Sequence, residues 1–418
     1  MLSVHLSGSS VSALQMELFA PILAAYGSKS MISNDKLYAH LESCGALTRE
    51  EITDRAPVGR SGEMHSLGRR KIRWYQQTLK KLGLIERVAG SRGVWRAATG
   101  ITKDKELTPA PAGVSLVAFS TNLGVAIWGD CRTVFSSIDE PIHLCVTSPP
   151  YCLAQPRAYG NPTEANYVDF ICKALEPIVK ALVPGGSICL NVSNDIFVPG
   201  SPARSLYRER LVLVLHDRLG LHKMDELIWS NPSKAPGPIA WASKKRVQLN
   251  VAYEPVYWFT NEPHKVRSDN RRVLQPHTER HQKLIAAGGE RRDAVFADGA
   301  NRITPGAFGS KTEGKIPRNL IVSGHRCARQ TPARKAASDA GLPVHGAAMP
   351  FAVADLLVRF LTEPGDLVVD PFGGIATTAE AAEEGGRRWL TTDLHHEYLF
   401  AGAHRFKQRA GFENELSL

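Results

Sequence analysis

Seven cysteines are scattered through 418 residues, an odd number with no C-x-x-C pair among them. Such spacing supports neither a disulfide framework nor a zinc site, so the thiols are expected to be reduced and mostly buried. No stretch approaches the roughly 18 consecutive apolar residues of a membrane-spanning helix, and the first residues lack the charged-then-apolar pattern of a secretion signal. A soluble, cytoplasmic protein is expected. Internal repeats and long low-complexity segments are also missing.

What is present is a basic chain of ordinary hydrophobicity. A 43% hydrophobic content suffices for a sizeable core, and 418 residues allow two or three domains at about 100 to 200 residues each. The net charge of +10 and a pI near 9.3 favour a polyanionic partner. That charge is concentrated. Between 264 and 336, sixteen Lys or Arg face six Asp or Glu, a surplus equal to that of the whole chain. Arg271-Arg272 and Arg291-Arg292 lie there among glycines, prolines and asparagines. The stretch reads as an irregular insertion presenting a nucleic-acid-facing surface, the plainer alternative being solvated charge.

Apolar residues recur at helical spacing over 12–26 (Leu14, Leu18, Ile22) and 34–44 (Leu37, Leu41), with Asn34 the expected cap of the second helix. A third helix is expected from about 66 to 82, with Arg69, Arg70, Lys71 and Arg73 in its first turns. Gly83 ends it, and two short β runs follow, joined by a glycine-rich turn that carries Arg92. Helices followed by a basic-tipped hairpin resemble a winged helix-turn-helix, which places a winged-helix-like DNA-binding domain at 1–100. There the third helix enters a major groove and Arg92 touches a phosphate or the minor groove. A dimerisation or docking module is the alternative. The polar, proline-bearing stretch 101–113 reads as a linker.

From 114 onward strands and helices alternate. Apolar runs at 114–119 and 125–128 come first, with Gly129-Asp130 closing the second. Ile142-His143-Leu144-Cys145-Val146 then leads into Thr147-Ser148-Pro149-Pro150-Tyr151. A β-branched run that stops at two prolines reads as a buried strand delivering a rigid turn, because neither proline donates to a ladder and each fixes its own φ. A helix at about 166–183, stopped by Pro184-Gly185-Gly186, precedes a strand at 187–192, a helix at 205–219 and strands at 225–229 and 251–260. Beyond the basic stretch come a helix at 351–361, a strand ending at Asp370, a glycine turn, a strand ending at Asp393 and a helix at 396–409. This order argues an α/β domain with a mostly parallel sheet, built from 114–263 and 337–418 around the insertion 264–336.

A strand ending in Asp370, a glycine turn, a helix and a second strand ending in another acid about twenty residues on is a layout for a nucleoside-containing cofactor. The turn has neither G-x-G-x-x-G nor a following lysine, so a ligand without phosphates fits better, and two acids suit a cationic one. Together, Thr-Ser-Pro-Pro-Tyr at 147–151 and Asp370-Pro371-Phe372-Gly373-Gly374-Ile375-Ala376-Thr377-Thr378 resemble the β-class DNA amino-methyltransferases, in that family's permuted motif order, over about residues 122–410. The resemblance implies a circularly permuted, Rossmann-like class I methyltransferase fold beside the small α+β winged-helix domain, and S-adenosylmethionine as cofactor. It assigns cofactor contacts to Asp370, Phe372, Gly373, Gly374, Thr377, Thr378, Asp393 and Asp130, and maps 264–336 onto the target-recognition region. One departure stands out, since Ile375-Ala376 replaces the family's Ser-Gly. Alanine packs nearly as closely as glycine where φ is negative, so cofactor binding is expected to survive.

The implied catalytic group is Ser148, Pro149, Pro150 and Tyr151. An exocyclic base amine is a poor nucleophile, because its lone pair is delocalised into the ring. If Ser148 and the Pro149 carbonyl accept its two N–H bonds, the lone pair turns toward the methyl donor. The base must leave the duplex stack, and Tyr151 would stack on it. Cys152 follows Tyr151 rather than a proline and reads as a packed residue, not a cytosine-C5 nucleophile. His395, His396, Glu397 and His404 read as packing or surface residues rather than metal ligands. In the family a serine at the first motif position goes more often with cytosine N4, which is the expected target, with adenine N6 by the same mechanism as the alternative. An RNA methyltransferase and a non-catalytic DNA-binding regulator are readings from other classes. Double-stranded DNA is the expected partner. A homodimer and a cognate restriction endonuclease are left open by the sequence.

Overall fold

Five strands pair in parallel at the centre of a ten-stranded sheet, in the order Leu182–Asn191, Ile142–Thr147, Leu367–Asp370, Arg388–Asp393 and Gly124–Gly129. They read as nearly continuous apolar runs because both sheet faces are covered. Leu144 and Val146 pack with Val353, Leu357 and Val358 of the helix Phe351–Leu361 on one face. Cys145 packs with Ile171 and Leu175 of the helix Glu164–Lys180 and Leu211 of the helix Tyr207–Leu219 on the other. Tyr253–Thr260 and His222–Ser230 extend one side antiparallel, with Leu320–Val322 parallel at that edge. Ser115–Ser120 and Glu413–Asn414 extend the other side antiparallel. The α/β class and the mostly parallel sheet read from the sequence are both present.

The computed structural model describes residues 19–26, 31–58, 63–81, 85–97, 107, 109–153, 160 and 162–415. Leu14, Leu18, Gly83 and most of the stretch read as a linker lie outside the described residues. Ile22 falls in the helix Phe19–Ala25, followed by helices Asn34–Ser43, Arg49–Thr53 and Leu67–Lys81. Ile32–Ser33, Val94–Ala97 and Ile85–Arg87 form a three-stranded antiparallel sheet. A hairpin, Arg55–Val58 with Glu63–Ser66, precedes the longest of these helices and has no apolar alternation to announce it. The cap of Asn34–Ser43 is Ser33, not Asn34. Ser33 is the residue with extended backbone, and its Oγ accepts from the Lys36 N–H at 3.3 Å.

Boundaries in the α/β part differ from the sequence reading, the last helix, His396–Ala403, closing six residues short of the expected 409. The helix Glu164–Lys180 closes at Ala181, and the next strand begins at Leu182, so Pro184-Gly185-Gly186 sits inside a strand. That strand's ladder with Ile142–Thr147 shifts register there, and the irregularity accommodates the proline. Leu320–Val322, an apolar island of the basic stretch, joins the main sheet, and the helix Thr331–Asp339 runs across position 336.

The sheet order places the site. The chain leaves Ile142–Thr147 through a helix to Leu182–Asn191 on one flank, whereas Leu367–Asp370 on the other flank arrives from far along the sequence. Where connections diverge in this way, a crevice opens at the carboxyl ends of the two strands.

Candidate active site

The two motifs meet through a hydrogen bond at that crevice. Thr147 Oγ1 donates to Asp370 Oδ1 at 2.7 Å, and the same oxygen accepts from the Phe372 N–H at 3.1 Å. Asp370 is buried, and burial pushes its carboxyl up to about 6 against the opposing pull of these donors.

Past Thr147 the proline turn delivers Ser148 and Tyr151 to one small polar cluster. Ser148 Oγ donates to Asn191 Oδ1 at 3.2 Å and lies 3.1 Å from the Tyr151 hydroxyl. Tyr151 reaches Asn191 Oδ1 at 2.7 Å and Glu254 Oε2 at 2.9 Å, and Lys234 Nζ holds the other Glu254 oxygen at 2.9 Å. Burial, reinforced by the Glu254 carboxylate, raises the Tyr151 phenol well above its ordinary value, so it stays protonated. With the Ser148 proton committed to Asn191, the serine lone pairs are left to accept an N–H. Cys152 is buried, and burial lifts its thiol to about 11, far from the thiolate that a cytosine-C5 nucleophile requires.

A cavity runs from this cluster to the end of Arg388–Asp393. Pro149, Pro150, Tyr151, Phe170, Phe372, Leu394 and Tyr398 give it apolar walls, and the Phe170 and Phe372 ring centroids lie 5.6 Å apart. Asp130 and Asp393 are its carboxylates. Among the described residues lining it there is no lysine, and its guanidinium, Arg132, is paired with Asp130. Such a lining fits a flat nucleoside with a cationic tail and offers nothing to phosphates. An adjoining recess, sharing Ser148, His345 and Phe372, is lined by Asp370, Gly373, Gly374, Thr377 and Thr378. The Asp393 side chain, expected to hold ribose hydroxyls, accepts from the Gly374 N–H at 2.8 Å through Oδ2 and from the His395 N–H at 2.7 Å through Oδ1.

The glycine turn is held by close approach. A Cβ on Gly373 would fall 1.8 Å from Thr391 Oγ1, and Gly374 has φ +52. Ala376 corrects the sequence reading, which keeps it at negative φ. It sits at φ 58, ψ 42, in the left-handed region, at the start of the helix Thr377–Glu384. Its neighbour Ile375 is buried among Ala333, Ala337, Leu342 and Ala401. Arg405 clamps the pair from behind: its Nη1 donates to Ile375 O at 2.9 Å and Thr377 Oγ1 at 2.8 Å, and its Nη2 pairs with Glu380. Ile375 thus packs its buried side chain on the alanine-lined face while bordering the adjoining recess.

Of the basic residues named from the sequence, Arg69, Arg70 and Arg73 line one recess together with Arg55. Arg69, Arg70 and Arg73 are exposed on Leu67–Lys81, Arg69 lying over the Tyr38 ring at 5.1 Å and Arg73 donating to its hydroxyl at 3.3 Å. Lys71 on the same helix is half-buried, and Arg92 is exposed in its turn. Arg271 chelates Asp269, and Arg292 pairs with Glu290, while Arg291 is exposed. Arg272 is committed to the fold, pairing with Glu363 at 2.6 Å and donating to the Arg267 and Thr362 carbonyls. Asn191, Lys234, Glu254 and His345 escape the sequence reading, and His395, read there as a packing or surface residue, lines the cavity. Asn191 and Glu254 sit in apolar strands and Lys234 and His345 in connections, so only the folded chain gathers them.

A serine-proline turn and a carboxylate-lined apolar cavity meet in a crevice at a switch point, the place where an open α/β sheet holds its ligands. The chain belongs to the N6/N4 DNA methylase family, whose profile matches residues 142–402. It is 33% identical over 291 residues to the type II methyltransferase M.PvuII of Proteus hauseri, covering 69% of this chain and 85% of that one. Against the type II methyltransferase M.BglII of Bacillus subtilis it is 26% identical over 276 residues, 65% of each chain. The solved PvuII DNA methyltransferase, described as cytosine-N4-specific, superposes with a TM-score of 0.53 at 29% identity, over 71% of this chain and 89% of that one. The protein is a DNA methyltransferase of the N4/N6 type, and S-adenosylmethionine is its methyl donor. No helix among the described residues is long and apolar enough to cross a membrane.

Proposed function

We propose that this enzyme methylates the N4 amine of a cytosine extruded from double-stranded DNA. The observation that carries the reading is Ser148, whose Oγ donates to Asn191 Oδ1 and which lines the cavity beside Pro149 and Tyr151. Ser148 Oγ and the Pro149 carbonyl accept the two amine N–H bonds and turn the lone pair out of conjugation, while the Tyr151 ring holds the base flat. Asp393, Asp130 and Phe372 line the cavity and would hold the nucleoside part of the cofactor. Gly373 and Gly374 let the chain approach, and Asp370, Thr377 and Thr378 line the recess beyond. S-adenosylmethionine supplies an electrophilic methyl on a cationic sulfur. Likeness to a protein described as cytosine-N4-specific supports cytosine over adenine.

The domain assignment is part of the same proposal. Residues 1–100 act as a winged-helix-like DNA-binding domain, with Arg69, Arg70, Lys71, Arg73 and Arg92 on the phosphates, and 264–336 recognises the target through its exposed arginines. The type II names of the relatives support a cognate restriction endonuclease as the functional counterpart.

The test is transfer of labelled methyl from S-adenosylmethionine to mixed-sequence duplex DNA, with digestion and mass identification of the nucleoside. N4-methylcytosine is expected, with Ser148→Ala slowing transfer by about a hundredfold. N6-methyladenine would replace cytosine by adenine as the target.

A further inference from the structure

Between His222–Ser230 and Tyr253–Thr260 lies a loop, residues 231–252, that neither motif claims. It carries Lys234, Lys244, Lys245 and Arg246, with no Asp or Glu anywhere in it. Its neck is closed by the Asn231 N–H on Ala252 O at 2.8 Å, and a second rung joins the Val251 N–H to Gly237 O at 2.8 Å. Gln248 Nε2 ties the outer part to Pro202 O at 3.0 Å. The loop is therefore a built element beside the site. Lys234 anchors it there through Glu254, whose other oxygen accepts from Tyr151.

Its outer part faces solvent. Leu249 is 86% exposed, with Ile239 and Val247 also exposed, and Lys244, Lys245 and Arg246 stand out beside them. Lys245 Nζ lies over the Trp241 ring at 4.7 Å. Apolar side chains exposed within a purely cationic loop match a partner with an anionic outside and an apolar inside. A duplex is such a partner, with phosphates at its rim and stacked bases within. A protein partner covering the same apolar residues would have no use for three exposed cations without one acid in the loop.

We propose that loop 231–252 enters the DNA beside the target pocket, with Lys244, Lys245 and Arg246 on the flanking phosphates and Leu249 filling the gap that the extruded base leaves in the stack. This rests on the reading that the target base is extruded into the pocket at Ser148 and Tyr151. Leu249 then lowers the barrier to extrusion, and the cations fix the loop's register on the backbone.

The test uses the full chain, a duplex carrying the methylated site identified as above, and the same duplex with the target base mispaired. Leu249→Ala removes an exposed side chain and leaves the fold untouched. It is expected to slow single-turnover transfer about tenfold on the paired duplex while matching the unsubstituted enzyme on the mispaired one, whose base costs least to extrude. The K244Q/K245Q/R246Q variant should weaken binding to both duplexes alike, with a salt slope smaller by about three. Equal rates for Leu249→Ala and the parent on the paired duplex, or equal slowing on both, would overturn the role of Leu249. An unchanged salt slope would remove the loop from the DNA. If the modified base proves to be adenine, the cytosine assignment falls and the loop test stands, whereas no transfer to any duplex overturns both.

Discussion

Asn191 Nδ2 donates to the carbonyl oxygen of Pro255 at 3.2 Å, and this contact decides which way the amide faces. With the nitrogen turned to the neighbouring strand, Oδ1 is left to accept from Ser148 and to share the single Tyr151 proton with Glu254. A buried amide on the parallel sheet thus orients the two hydroxyls of a turn 40 and 43 positions away in sequence. Its partner is fixed by the antiparallel register that places Val256 opposite Asn191.

Asn191→Ala removes that acceptor from Ser148 and Tyr151 and leaves the Pro255 carbonyl to the Val192 N–H alone. The loss of stability is expected to be about 1–3 kcal/mol, the cost of buried polar groups left without partners. Methyl transfer should fall further than stability suggests, by about a hundredfold, because the serine loses its orientation. Denaturant unfolding together with single-turnover rates checks this, with cofactor affinity expected unchanged.

Tyr151 has two separable roles. Tyr151→Phe keeps the ring on the cavity wall and loses the bonds to Asn191 and Glu254. It is expected to lower kcat about tenfold with little change in DNA affinity, as the loss of an orienting hydrogen bond does. Tyr151→Ala also removes the stacking surface, worth about 1–3 kcal/mol per base, and should weaken DNA binding as well. Comparing kcat and KM for the two variants separates the roles.

Asp370 predicts a pH dependence. Its folded carboxyl is pushed up to about 6 by burial, against about 3.9 unfolded. Between those values the folded state holds a proton that the unfolded state has lost, so this group's contribution falls as pH rises from about 4 to 6 and is flat beyond. Asp370→Asn keeps an oxygen for Thr147 and the Phe372 N–H and removes the buried charge. Relative to the parent, it should be more stable above pH 6, by about 3 kcal/mol, and indistinguishable below pH 4. Cofactor affinity should move the opposite way, since the cationic ligand loses its counter-charge. Melting curves and calorimetry at pH 4, 5, 6 and 8 would show both trends.

The parts of the site legible in the sequence are those whose chemistry is local. Two prolines after a β-branched run announce a rigid turn at Ser148, and acids at strand ends announce Asp370 and Asp393. The sheet's covered faces explain why those runs read as strands at all. What stayed hidden was set by strand pairing. Asn191 is one polar residue in an apolar run, and nothing nearby says that its amide will face Ser148. Arg272 and Arg271 look alike in sequence, yet one is tied to Glu363 and two carbonyls while the other's side chain is 81% exposed. Lys234 reaches Glu254 only because a twenty-two-residue loop closes at its neck.

Ala376 is the residue where composition misleads most, and it supports a sharp comparison. Its left-handed backbone costs an alanine about 1–2 kcal/mol. Ala376→Gly relieves that cost, and the relief is offset by the greater freedom of the unfolded chain, about 0.4–1 kcal/mol, and by the lost burial of one methyl, about 0.8 kcal/mol. The net change should lie close to zero. Ala379, equally buried but inside Thr377–Glu384, has no such strain to relieve. Ala379→Gly should cost about 2 kcal/mol, from helix propensity and the lost methyl together. Denaturant unfolding of the two variants side by side reads the difference directly, and equal losses would mean that the turn holds Ala376 without strain. Because Arg405 holds Ile375 and Thr377 on either side, the glycine variant should keep the shape of the loop, and cofactor affinity should stay within about threefold of the parent, a shift under 0.7 kcal/mol.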